Sequence, residues 1–368
     1  MPSRRQIYRR RRIVVFGGLL LVLALAFYLP MTLLAPLRAA DAAVLVQDEP
    51  PGAAAQLRFP GYGASAIGAL DFPGVLASAG SEKALPMASI TKIVMALVTL
   101  EKHPLGVDES GPSVTMTSAD EALYDAYRRV NGKVVPVHSG ERFTQRELLD
   151  LALIESANNY ATTLAVWAFG SEKAYVQAAR AWVAAHDLPS VTIVDSTGLD
   201  AGNRATAADL VELGRLALHD PVVSDIVGTQ NLTLHDVGEL ENSNELLGTH
   251  GVTGIKTGTL DTFGANLLFS GQYAVGSSTV TLVGVVLGGA DHPTINGAIT
   301  RLLTSAEAGF HEVDVADVGQ DFAGYETLWG QTVQAEAGAE AVLLTWSDTP
   351  ITIEVDADPV RVADAGAT

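Results

Sequence analysis

Hydrophobic and polar positions fall into three regimes along the chain. Residues 13–34, IVVFGGLLLVLALAFYLPMTLL, contain no charged side chain. A run of about 20 apolar residues is long enough for a helix to cross a bilayer core, so a transmembrane helix is expected there. Residues 57–310 mix two periods. GASAIGAL and GVLASAG, between 63 and 80, read as strands punctuated by Pro and Gly. PMASITKIVMAL opens a helix predicted over 86–102, with Met87, Ile90, Val94 and Leu97 at helical spacing. A helical pattern that follows Thr144 runs on through LLDLALIESANNYA, 148–161. Further helices are expected over 171–186 and 206–218. NLLFSGQYAV and STVTLVGVVLGG, within 266–289, alternate and are rich in β-branched residues, as sheet strands are. Residues 295–310 return to the helical period. Strands at both ends with helices between predict an α/β layered domain carrying a helical insertion.

The third regime, 312–368, holds twelve acidic residues and one basic residue, Arg361. TVQAEAG, AVLLTW and ITIEVDA read as short strands of a small β region. These regimes suggest a basic tip (1–12), a membrane anchor (13–34), a linker (35–56), a catalytic or binding domain (57–310) and a small acidic β-rich domain (311–368).

Charge sharpens this layout. Six arginines among the first twelve residues give +6, and taking them from the total of −19 leaves −25 on the rest. So acidic a body repels nucleic acid phosphates. Arginines on the N-terminal side of an apolar helix stay in the cytoplasm, which places everything after it outside. A cleaved signal peptide is the competing reading, with Ala40-Asp41-Ala42 as its small-residue site. In that case the protein is secreted. The chain lacks cysteine, which removes disulfides and thiolate chemistry. Its eight histidines show no metal-binding spacing, and each, His292 included, reads as a surface or capping residue. No metal or cofactor is expected.

Three short motifs carry the chemistry. In Ser89-Ile90-Thr91-Lys92, the helical i, i+3 spacing puts Ser89 and Lys92 on one face. A serine hydroxyl needs a base to become a nucleophile, and a lysine whose charge is disfavoured by burial can be that base. A snorkelling surface lysine fits the same four residues. Ser156-Ala157-Asn158 lies within the helical pattern of 148–161. It suits either proton relay and carbonyl binding or a polar helix end. Lys256-Thr257-Gly258-Thr259 comes just before the strand pair. On a strand, Lys256 and Gly258 face one way and Thr257 the other. A cation with neighbouring hydroxyls suits a carboxylate, although a turn lysine reads the same way.

The order of the three is more telling than any one. S-x-x-K, S-D-N and K-T-G are the signature of class A β-lactamases and penicillin-binding proteins. With ERFTQRELLDLALIESANNYA, DSTGLD, ATAADLVELGR, NSNELL and GVTGIKTG, residues 57–310 resemble the D-alanyl-D-alanine carboxypeptidases, low-molecular-mass penicillin-binding proteins of serine peptidase family S11. The resemblance implies a transpeptidase-like antiparallel sheet flanked by helices with a helical subdomain. It implies peptidoglycan stem peptides as substrates and β-lactams as covalent inhibitors. By the same resemblance Ser89 is the acylated nucleophile, Lys92 its base, and Ser156 the relay to the departing D-alanine. Asn158 orients the substrate, and Lys256, Thr257 and Thr259 hold its carboxylate. The backbone N–H groups of Ser89 and Thr259 form the oxyanion hole.

Two departures stand out. The end, PVRVADAGAT, is too short and polar for the C-terminal amphipathic anchor of many relatives. DTFGANLL replaces the Ala-Gly pair common after the third motif, which bears on substrate preference. A β-lactamase is disfavoured, since the carboxylates of 157–200 are Glu172, Asp187, Asp195 and Asp200 and none sits in the Glu-x-x-x-Asn context of a class A enzyme. A DD-endopeptidase or transpeptidase can use the same site. A non-enzymatic wall-binding protein would tolerate loss of Ser89 or Lys92, and both are present.

Overall fold

The computed structural model describes residues 3–34, 36, 38–45, 52–327 and 330–361. Residues 46–51 of the expected linker and 362–368 of the polar C-terminus lie outside that set. The chain divides into two compact units. One comprises Gly52–Glu312 and Leu344–Thr349; the other takes in the described residues of Met1–Pro51, Val313–Leu343 and Pro350–Thr368.

The larger unit is built on a five-stranded antiparallel sheet. Its strands are β1 (Ala64–Ala69), β2 (Ala77–Gly80), β3 (Val252–Leu260), β4 (Gly264–Val275) and β5 (Ser278–Gly289), in the order β3-β4-β5-β1-β2. The sequence pattern anticipated β4 and β5 as a pair; β3 extends them by a long antiparallel edge strand that contains the whole third motif.

Alternation sorts the sheet's side chains between two cores. Leu267, Phe269, Leu282 and Val286 join Ile295, Ile299, Leu302 and Leu303 in one buried cluster. The last four lie on a helix, His292–Glu307, that covers this face. Leu268, Val283, Val285 and Leu287 join the other, larger cluster. Helices Thr91–Lys102, Gln145–Leu153, Asn158–Phe169 and Ala207–His219 contribute much of that second core. In chain order these helices are α2 (Thr91–Lys102), α4 (Gln145–Leu153), α5 (Asn158–Phe169), α7 (Ala207–His219) and α9 (His292–Glu307). The remaining ones are α1 (Arg4–Leu33), α3 (Ser118–Arg129), α6 (Glu172–Ala185) and α8 (Pro221–Val227).

One register row crosses the sheet as Lys256–Leu268–Val285–Ala66. Its three apolar members belong to the helical core. Lys256 is therefore carried in a row of core positions and is 1% exposed. Within the helical layer, α2 is buried from Thr91 to Leu100, as expected for a helix enclosed on all sides.

Two predicted helices change form. The pattern over 86–102 resolves into a 3₁₀ turn at Ala88–Ile90 followed by α2, while Leu85–Pro86 pairs with Arg204–Ala205. The continuous helix expected through 148–161 is broken. α4 stops at Leu153, α5 starts at Asn158, and Ser156 between them has φ = +61°. The amide of Asn158 donates to the Lys133 carbonyl (2.8 Å), so a tertiary contact restarts the helix where its periodicity alone would run on. A helix at α3 and the hairpin Asn231–Leu234/Gly238–Glu241 were not anticipated from the sequence.

In the smaller unit, α1 runs unbroken from Arg4 to Leu33, so the basic tip and the apolar run form one 30-residue helix. Among the described residues it is the helix long and apolar enough to cross a membrane. A three-stranded antiparallel sheet places Asp321–Glu326 between Ala42–Val44 and Thr332–Glu336. Of the three strands expected in the C-terminal region, TVQAEAG and AVLLTW form. ITIEVDA runs without a ladder, and Val360 beyond it bridges Ala40.

Candidate active site

Ser89 sits in the 3₁₀ turn that opens α2, after Ala88 at φ = +51°. One turn later Lys92 is fully buried, with three oxygens around its amine. Nζ lies 2.9 Å from Ser89 Oγ, 2.7 Å from Asn158 Oδ1 and 2.8 Å from the Thr197 carbonyl. An ammonium has three N–H groups to donate, whereas a neutral amine has two and a lone pair. Asn158 Oδ1 and the Thr197 carbonyl can only accept. Ser89 Oγ can accept or donate, so it is the partner whose bond reverses when Lys92 is neutral. Burial pulls the Lys92 amine down to about 7, and the Lys133 ammonium pulls in the same direction, against the Asp195 carboxylate.

Thr197 belongs to a turn organised by Asp195. Its Oδ1 accepts from the amides of Thr197 (2.7 Å) and Gly198 (2.6 Å), and its Oδ2 from that of Asp200 (2.9 Å). The turn fits tightly beneath Ala88. A Cβ on Gly198, where φ is +82°, would lie 1.8 Å from the Ala88 carbonyl oxygen.

β3 forms the opposite wall. At Gly258 the strand runs so close to the serine turn that a Cβ would sit 3.0 Å from the Met87 oxygen and 3.1 Å from the Ser89 amide nitrogen. Glycine is what permits this approach. The Lys256 amine lies under the wall, 3.4 Å from Thr257 Oγ1. Burial holds it well below the ordinary lysine value, with the Lys92 and Lys133 charges acting the same way. Thr257 turns to Ser243, with the two hydroxyl oxygens 2.6 Å apart. Thr259 Oγ1 is 2.8 Å from Nε2 of His292, the first residue of α9.

Between the walls is a polar cleft of about 550 Å³. Ser89, Ser156, Asn158, Thr257, Gly258 and Thr259 all line it. The eight residues singled out in the sequence are thus gathered at one place, with Lys92 and Lys256 buried beneath the lining. The break between α4 and α5 is what lets Ser156 line the cleft. It is held from behind by Glu155, whose carboxylate accepts from the Glu241 amide (2.9 Å) and pairs with Lys133 (3.4 Å).

Sequence reasoning missed the Thr197 carbonyl, Lys133, Ser243 and His292. Thr197 and Ser243 stand inside the DSTGLD and NSNELL segments, so a local signal existed without a role attached to it. His292 corrects the expectation that every histidine is a surface or capping residue, because it lines the cleft and touches Thr259.

Residues 71–291 match the model of the Peptidase S11 family, D-alanyl-D-alanine carboxypeptidase. The chain is 26% identical over 275 residues to D-alanyl-D-alanine carboxypeptidase DacA of Escherichia coli, a span of 72% of this chain and 66% of that protein. It is 33% identical over 196 residues to DacB2 of Mycobacterium tuberculosis, covering 51% of this chain and 63% of the relative. The crystal structure of a D-alanyl-D-alanine carboxypeptidase from M. tuberculosis superposes with a TM-score of 0.56 at 27% identity, covering 72% of this chain and 96% of that one. The fold is also that of penicillin-binding protein 5 from Haemophilus influenzae, with a TM-score of 0.61 at 18% identity over 78% of this chain and 83% of the other. The family model covers more than half of the chain, and the chain belongs to the S11 serine peptidases, the D-alanyl-D-alanine carboxypeptidase family.

Proposed function

We propose that this protein is a penicillin-binding, serine-type D-Ala-D-Ala carboxypeptidase that trims the terminal D-alanine from peptidoglycan stem peptides. The observation that carries this reading is the buried Lys92 amine, 2.9 Å from Ser89 Oγ and fixed by two obligate acceptors. Ser89 Oγ attacks the carbonyl carbon of the penultimate D-alanine, and its proton passes to neutral Lys92 Nζ. The backbone N–H groups of Ser89 and Thr259 take up the negative charge that forms on the carbonyl oxygen. The proton travels through Ser156 to the peptide nitrogen, the C–N bond breaks, and D-alanine leaves. Water then attacks the Ser89 ester and restores the hydroxyl.

Asn158 has a double part, since its side-chain oxygen holds Lys92 and its amide group is left to orient the substrate. Thr257 and Thr259 receive the terminal carboxylate, with Lys256 supplying positive potential from below. No step needs a metal or cofactor. Residues 57–310 carry this chemistry, while the acidic β-rich stretch 311–368 contributes Leu344–Thr349 to the same unit and shares the smaller unit's sheet with Ala42–Val44. The N-terminal helix serves as membrane anchor, with its arginines in the cytoplasm and the catalytic part outside.

Mass spectrometry after incubation with a penicillin tests the central step. A single covalent adduct on Ser89 is expected, and an adduct elsewhere, or none, would overturn the reading. Release of D-alanine from a peptide ending in D-Ala-D-Ala should fall by at least about 10⁴-fold in Ser89→Ala, as loss of a covalent nucleophile does. Unchanged release would remove Ser89 as the nucleophile, whereas no release by the wild type would leave a wall-binding role instead.

A further inference from the structure

We propose that His292 is a pH-dependent positioning residue for the substrate carboxylate, acting through the Thr259 hydroxyl. This deepens the carboxypeptidase reading and rests on it.

His292 comes from α9, on the opposite side of the sheet from Ser89 and Lys92. The first residue of that helix reaches over the edge strand into the cleft, and its Nε2 meets Thr259 Oγ1 at 2.8 Å. A threonine hydroxyl has one proton to place. When Nε2 is the unprotonated nitrogen, it accepts that proton, and Thr259 shows the cleft only lone pairs, which repel a carboxylate. When the imidazole is protonated, Nε2–H donates to Thr259 Oγ1. The hydroxyl proton is then released toward the cleft, where it can donate to a carboxylate oxygen. The same protonation adds a positive charge at the carboxylate end of the site. Both effects favour binding of an anionic terminus.

The charges facing His292 come from several segments. Asp291 precedes it at the helix cap, and Glu245 lies before β3, tied to α9 by the Asn296 side chain at 3.1 Å. Lys256 lies within β3, Lys133 after α3, and Asp261 lines the same cleft. Partial burial, with help from Lys256 and Lys133, outweighs Glu245 and Asp291 and keeps the imidazole below its ordinary value of 6.5. The switch therefore works on the acid side of neutrality.

The test is the pH dependence of KM and kcat for an N-acylated peptide ending in D-Ala-D-Ala, from about pH 5 to about pH 8, the span in which histidines change charge. In the wild type, KM should rise about tenfold or more with pH as His292 loses its proton, the effect of removing one charge-assisted hydrogen bond. In His292→Gln, which keeps a side-chain amide but cannot titrate, the difference in KM across the range should vanish. Thr259→Ser should keep the wild-type dependence, and Thr259→Val should lose it. A wild-type KM that is flat with pH, or a His292→Gln profile that matches the wild type, overturns the proposal. Stoichiometric labelling of Ser89 by a penicillin shows that each variant is folded with its serine site intact. Failure of the wild type itself to label would instead sink the acyl-enzyme reading on which the proposal rests. If His292→Gln fails to label, His292→Asn takes its place.

Discussion

Lys92 owes its chemistry to enclosure. In water its amine would stay protonated to about pH 10.5, and the fold lowers that to about 7. Only the neutral amine can accept the Ser89 proton, so activity must rise with pH through that value. The expected kcat/KM profile for D-alanine release has an acid limb centred near 7, and a limb near 10.5 would remove Lys92 as the base. Stability carries the same sign. Between about 7 and 10.5 the unfolded chain holds a proton that the folded chain lacks, so this group makes folding less favourable as pH falls across that window. Ser89 and Lys92 were legible because they break an apolar helical pattern, and Lys256 because K-T-G follows the other two motifs in order. His292 was not. Its place at Thr259 depends on a helix that begins 33 residues later and returns to the edge strand, a distance at which no periodicity speaks.

At the level of elements, Ser89 and Ser156 lie where regular structure is interrupted. Ser156 occupies a left-handed backbone position that costs an L-residue about 1–2 kcal/mol. Glycine pays no such penalty. Ser156→Gly is therefore expected to match or exceed wild-type thermal stability, while turnover drops by about 10²-fold or more through loss of the relay hydroxyl. A large fall in melting temperature would show that the hydroxyl serves the fold instead. The sequence read 148–161 as one helix because its apolar spacing is continuous there; the break is imposed by Lys133 and Glu241, which arrive from other segments. Close approach is the second device. Gly258→Ala puts a methyl 3.1 Å from the Ser89 amide, and pushing the walls apart should slow penicillin acylation about ten- to hundredfold, the scale of a misplaced reacting pair. Gly198→Ala is harsher. With 1.8 Å to the Ala88 oxygen and φ = +82°, it should cost about 2–5 kcal/mol in chemical denaturation.

Across the whole molecule, the sequence conveyed the order of parts better than their boundaries in space. The catalytic fold was readable because its strands alternate and its motifs keep their order. The smaller unit draws its strands from both ends of the chain, which a reading in linear order does not reveal. Ala42 pairs with Tyr325 and Val44 with Ala323. A chain beginning at Gly52 would remove that strand and uncover the hydrogen-bonding edge of Asp321–Glu326. Penicillin labelling of Ser89 should survive, whereas trypsin-independent proteases such as thermolysin should cut within 313–343 faster than in the full chain. Equal resistance in the two would mean that the N-terminal strand contributes nothing to this unit. Cleavage at Ala40-Asp41-Ala42 would likewise sever the residue that bridges Val360. The pairing also imposes a timetable on biogenesis. Ala42–Val44 is synthesised directly after the N-terminal helix, yet its partner strand follows only after the entire catalytic sequence. That early strand must wait, unpaired, while the catalytic sequence is made, so the last sheet to close is the one that begins just after the N-terminal helix.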